Sequence, residues 1–200
     1  WIALLLAVLT FGMETTFFRF SQKDDANKVF NTAETIVLLI TAIFLLFYSF
    51  FYKSFAELIH YKFNTHYVLL LGIIVALDAA AAIPFAMLRK ENKAGRFSLI
   101  KTLNVLTNIL FNILFLIVIP EKSLMIAEYI FGEQTSLLIW VFISNIIASL
   151  LNLFLLYPQF SKLRLSLDKE LIVPMLKYSL PILLISLVGM VNEVADKILI

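Results

Sequence analysis

Six runs of apolar residues, each close to the length a helix needs to cross a bilayer, limit everything else this chain can be. A hydrocarbon core takes about 20 residues of helix, with a workable range of roughly 17–25. By that ruler the runs lie at about 1–18, 33–52, 67–88, 97–119, 136–157 and 176–198. None alternates with a period of two, so helices rather than a barrel pair every backbone group in lipid. Composition agrees with the runs: 62% of residues are hydrophobic and 15% charged, against roughly 45–50% and about 25% in soluble domains. The fold class is an all-α polytopic membrane protein.

A net charge of +2 makes no electrostatic case for nucleic acid, so no nucleic-acid partner is expected; the membrane lipids are the surroundings. The distribution of charge says more than its sum. Twelve Lys and Arg residues lie in or beside the odd connecting segments: Arg19, Lys23 and Lys28; Arg89, Lys90, Lys93, Arg96 and Lys101; Lys162, Arg164, Lys169 and Lys177. The even segments hold three, Lys53, Lys62 and Lys122. The inside-positive bias therefore predicts cytoplasmic odd loops and a first span that runs inward. The sequence opens on Trp1 and stops at "DKILI" in apolar text, which reads as a fragment cut at both ends; with a cytoplasmic start, an odd number of spans, most simply one, is expected upstream. Trp1 to Thr10 has neither the basic start nor the cleavage site of a signal peptide. Without cysteine there is no disulfide, thiol nucleophile or cysteine metal site.

The last connection, "SKLRLSLDKELIVPMLKYS", alternates Leu163, Leu165, Leu167, Leu171 and Ile172 with charges. That pattern predicts an amphipathic connector over 158–175 at the headgroup level. It would link a bundle over 1–157 to a further helix over 176–200. Pro174 and Pro181 stand at the entry to the last span, and Pro181 predicts a bend or break there.

Polar groups inside a span face the bundle interior or a wet cavity. Glu14 and Arg19 lie near the end of the first span, where Glu14 partners another helix or lines a site, and Arg19 either joins it or snorkels to the headgroups. Asp78 sits near the middle of the third span, where an aspartate costs about 2.5–3.5 kcal/mol. It is followed by four alanines that allow close helix approach. Packing acid and functional acid both fit. Asn104, Asn108 and Asn112 recur every four residues in the fourth span; Asn145, Ser149 and Asn152 do so at i, i+4 and i+7 in the fifth. Such faces either hydrogen-bond helix to helix or line a hydrated cavity where amides meet sugar hydroxyls. Glu193 and Lys197 stand at i, i+4 with Asp196 alongside, either as a self-neutralised set or as part of a gate. The cluster Arg89, Lys90, Lys93, Arg96 and Lys101 serves topology and also suits a basic entrance for anionic headgroups or phosphates.

His60 and His66 are six apart without a ligand partner in view, which is poor spacing for a metal site. No GxSxG, HExxH, P-loop or GxGxxG occurs, so no enzyme is expected.

Three stretches carry a family likeness: "FGMETTFFRFSQK", "IPFAMLRKENKAGRFSLIKTLNVLTNILFNILFLIV" and "LKYSLPILLISLVGMVNEVADKILI". Together they resemble bacterial polysaccharide-biosynthesis membrane proteins, the Wzx-like oligosaccharide flippases of the multidrug/oligosaccharidyl-lipid/polysaccharide (MOP) exporter superfamily. The resemblance covers essentially the whole chain and implies helices two to seven of a MATE-like bundle with two six-helix halves around a central cavity. It implies alternating-access export of an oligosaccharide on undecaprenyl pyrophosphate across the bacterial inner membrane, in polysaccharide or lipopolysaccharide (O-antigen) synthesis. No cofactor is implied beyond a coupling ion, H+ or Na+, and glycan polymerases or other assembly proteins would be partners. An ion-coupled multidrug exporter of the same superfamily and a non-transporting scaffold of glycan assembly stand as alternatives.

Overall fold

The computed structural model describes residues 2–58, 65–132 and 135–199, the side chains of residues 58 and 191–199 excepted. All regular structure among them is helical. The elements are α1 (Ile2–Thr10), α2 (Met13–Phe20), α3 (Ala26–Leu58), α4 (His66–Lys90), α5 (Ala94–Ile113), α6 (Pro120–Phe131), α7 (Leu138–Leu155), α8 (Tyr157–Phe160) and α9 (Lys169–Leu199). Among the described residues, six spans are long and apolar enough to cross a membrane, α1 and α2 counting as one and α5 running on through a π turn at Leu114–Val118. The chain is a multi-pass membrane protein by that measure.

Helix α4 is the axis of the bundle, with 56% of its most apolar stretch buried, against 6% for α5. One face of α4 (Val75, Ala79, Ile83, Ala86) joins Leu9, Met13 and Phe17 of the first span, Phe30, Ala33 and Val37 of α3, and Met175 of α9 in the main core. A second face, Ala81, Phe85 and Leu88, packs with Ile100 of α5 and Leu156. Small side chains let three neighbours approach one helix, which is how helices associate where lipid gives no hydrophobic drive between them. The outer faces of α3 and α5 leave Leu39, Ile43, Leu46 and Phe50, and Leu106, Ile109, Ile113 and Ile117, uncovered at helical spacing. Stripes of that length suit contact with hydrocarbon and not with water.

Four features differ from the sequence expectations. The first span is not one helix: it breaks at Phe11 and Gly12, whose φ angles are +50° and +64°. A Cβ on Gly12 would lie 3.0 Å from the Ser179 carbonyl oxygen of α9, so the break is where two backbones touch. The last span is not broken at Pro181; α9 is helical through both prolines, its packing against α1 and α2 outweighing the hydrogen bond each proline forfeits. Nor does the connector run to 175: α9 already begins at Lys169, and the stretch left irregular is 163–168. This strap is pinned by the Asn31 side chain, which accepts the Arg164 N–H at 3.0 Å, and by Thr32, which accepts the Asp168 N–H at 3.4 Å. Finally, the segment after the fourth span carries α6, begun by Pro120 at its N1 position and held by the Trp140 indole, which donates to the Ser123 carbonyl at 3.0 Å.

Tyr48 shows how tightly α3 meets α4. Its hydroxyl donates to the Val68 carbonyl at 2.7 Å, and a Cβ on Gly72 would fall 2.2 Å from its ring. Gly72→Ala forces that ring out of place and should cost about 1–3 kcal/mol, read as a lower melting temperature in detergent. Gly95→Ala, where a Cβ meets nothing within 4 Å, should hold or raise the melting temperature.

Candidate functional site

One cavity of about 690 Å³ opens among α1, α2, α4, α5, α7 and α9. Three helices present residues to it at intervals that keep them on one face. Helix α4 contributes Asp78, Phe85 and Arg89; α5 contributes Phe97, Lys101 and Asn104; α7 contributes Asn145, Ser149 and Asn152. The broken first span adds Thr10, Gly12, Glu14 and Thr15, and α9 adds Ser186. That volume lies within the usual range for a small-molecule site.

Asp78 is held by Ser149, whose hydroxyl donates to Oδ1 at 2.7 Å. The bond ties the acid of α4 to α7 across the cavity wall. Lys101 stands near enough to Asp78 to feel its charge, and its Nζ lies 4.2 Å over the Phe85 ring. At the wall between α2 and α4, Arg89 donates to Glu14 Oε1 at 2.5 Å, its guanidinium 5.2 Å from the Phe18 ring and 5.4 Å from that of Phe97. Two cations and two carboxylates therefore face the cavity among neutral amides and hydroxyls.

The two amide faces meet only in part. Asn104 shares the cavity with Asn145, Ser149 and Asn152, whereas Asn108 and Asn112 are not among its lining residues, and Asn112 donates to Asn108 at 2.8 Å. Helical geometry explains the split: each four-residue step overshoots a turn by about 40°, so Asn112 points roughly 80° away from Asn104. Arg19 is placed elsewhere too, 4.4 Å over the Tyr178 ring, since five residues of helix turn it well off the Glu14 face. Of the basic cluster, Arg89 and Lys101 face the cavity. Lys90 instead donates to the Ser21 carbonyl, Lys93 to Glu91 at 2.6 Å, and Arg96 to the Leu155 carbonyl at 2.9 Å, capping the end of α7. Bonds from Lys93, and then from Lys162 at 3.3 Å, hold the Glu91 carboxyl below its ordinary range. This tether to Lys162, just ahead of the strap, is fully present above the ordinary glutamate range and is lost as pH falls through the lowered value.

Glu193, Asp196 and Lys197 lie on α9, but their side chains fall outside the described residues, as does His60. His66 packs edge-on to Phe131 with ring centroids 5.8 Å apart. No group of three His, Cys, Asp or Glu suited to a metal occurs among the described residues. One acid the sequence reading does not single out is Glu34 of α3, fully buried, with neither carboxylate oxygen hydrogen-bonded. The same rule that drew attention to Asp78, an acid inside an apolar run, applies to it.

The split of the amide faces is testable by labelling, since the chain has no native cysteine. Cysteine at 104 or 145 should react with a small charged thiol reagent; cysteine at 108 or 112 should be protected. Equal reactivity at all four positions would remove the distinction.

Compared with protein-family models, curated proteins and solved structures, the chain gives no match. The geometry of the cavity is what bears on function.

Proposed function

We propose that this protein is a MATE-like flippase of the MOP type, moving lipid-linked oligosaccharide from the cytoplasmic to the outer leaflet of the bacterial inner membrane by alternating access. The observation that carries the reading is the mixture in one intramembrane cavity: amides and hydroxyls for sugar, and Arg89 and Lys101 for the phosphates of an undecaprenyl pyrophosphate carrier. Neutral amides both donate and accept, as sugar hydroxyls do, while a guanidinium pairs bidentately with phosphate. The family likeness of the three sequence stretches supports the same assignment. Asp78 is the coupling acid in this reading, exchanging H+ (or Na+) as the cavity changes its access. Depleting the protein in cells should leave lipid-linked glycan on the cytoplasmic leaflet; normal surface glycan without a redundant transporter would refute the assignment. The acid has its own check: Asp78→Asn should insert and fold but transport without pH dependence, and an Asn variant with the wild-type pH profile would reduce Asp78 to a packing role.

A second reading draws on Glu14, Asp78, Phe85 and Phe97, since acids and aromatic rings in one cavity also suit organic cations. An ion-coupled multidrug exporter would change cellular sensitivity to cationic dyes while surface glycan stays normal.

A further inference from the structure

Arg89 does not face the cavity empty-handed. Its guanidinium is already paired with Glu14 at 2.5 Å, and both residues line the cavity. The two side chains keep 39% and 44% of their surface exposed, so the pair is screened and belongs with exposed ion pairs, which are weak. Arg89 has supports independent of Glu14, the rings of Phe18 and Phe97 on α2 and α5. Glu14 hangs in the first turn of α2, directly after the left-handed pair Phe11 and Gly12.

We infer that Glu14 is an internal stand-in for an anionic ligand: it occupies Arg89 when the cavity is vacant and is displaced when a phosphate-type anion arrives. The Glu14 carboxylate presents an oxygen to the guanidinium as a phosphate oxygen would, and its removal leaves Arg89 in place on its two rings. Glu14 thereby sets a threshold. A neutral ligand gives Arg89 no reason to leave its carboxylate, and a weakly charged one competes poorly. A multiply charged phosphate wins both by stronger attraction to Arg89 and Lys101 and by driving off a like charge. The exchange deepens the transport reading of this cavity and rests on it only for what the phosphate is attached to.

Binding of inorganic pyrophosphate to the purified protein in zwitterionic detergent, followed by calorimetry, tests the exchange without any transport assay. Glu14→Gln, which keeps the size but not the charge, should bind about tenfold tighter than wild type. Glu14→Gln combined with Arg89→Gln should lose that gain. Melting temperatures near that of wild type certify the variants as folded, and Glu14→Ser serves as a second variant where glutamine is not tolerated. Equal affinity in wild type and Glu14→Gln, or a gain that survives without Arg89, would overturn the inference. Repeating the Glu14→Gln titration in nanodiscs identifies the source of the phosphate. There, displacement of pyrophosphate by a short-chain polyprenyl phosphate at lower concentration than by inorganic phosphate supports a lipid-borne phosphate at the site; equal displacement supports a soluble one. Because no glycan is involved, a failed depletion phenotype would remove the flippase reading and leave this result standing.

Discussion

A carboxylate halfway along an apolar helix has to find a hydrogen-bond donor or water, and the arrangement around Asp78 meets that demand from both sides. Ser149 donates to it from α7, which ties the most buried span to the helix behind it. The alanines that follow Asp78 let α4 sit close enough to its neighbours for such a bond to form. On its other side Asp78 faces the cavity that also holds Asn104, Asn145 and Lys101. In hydrocarbon such groups are tolerated where protein or a hydrated cavity receives them, so the polar wall and the cavity imply each other.

The broken first span serves the same economy of contacts. At Phe11 and Gly12 the chain leaves helical geometry where it meets the backbone of α9. Backbone groups freed at such a break can be satisfied only by protein or a water-filled space, and residues on both sides of it, Thr10 and Glu14, line the cavity. The short helix α2 then carries Glu14 to Arg89 on one face and Phe17 into the main core on another. Its position is fixed by packing, while its polar face remains available for exchange.

The six spans were legible in the sequence because length and hydropathy alone decide which segments cross lipid. Candidates for the cavity were legible as residue types: Asp78, Asn104, Asn145 and Asn152 are conspicuous in apolar text. Their grouping was not. Whether Asn104 or Asn112 faces α7's polar residues depends on the rotation of α5 about its axis, which neighbouring helices set. The break at Gly12 was hidden for a similar reason, since a glycine in an apolar run is unremarkable until another backbone presses on it. Pro181 misled in the opposite direction: a local helix breaker was overruled by the packing of a 31-residue helix. Glu34 is hard to see in the sequence because it lies close to the end of its run, where an acid reads as loop text, yet α3 begins eight residues earlier at Ala26.

In the proposed function, the polar cavity among α2, α4, α5 and α7 is the path of a glycan-bearing lipid. It is tested most directly in proteoliposomes, by following fluorescent polyprenyl-pyrophosphoryl oligosaccharide from the leaflet open to added glycosidase into the protected one. Wild-type protein should move the glycan well above the protein-free rate. Asn104→Leu with Asn145→Leu should abolish that movement, while Asn108→Leu, off the cavity, should leave it intact. Movement no faster than in empty liposomes, or equal effects of the cavity and off-cavity substitutions, would contradict it.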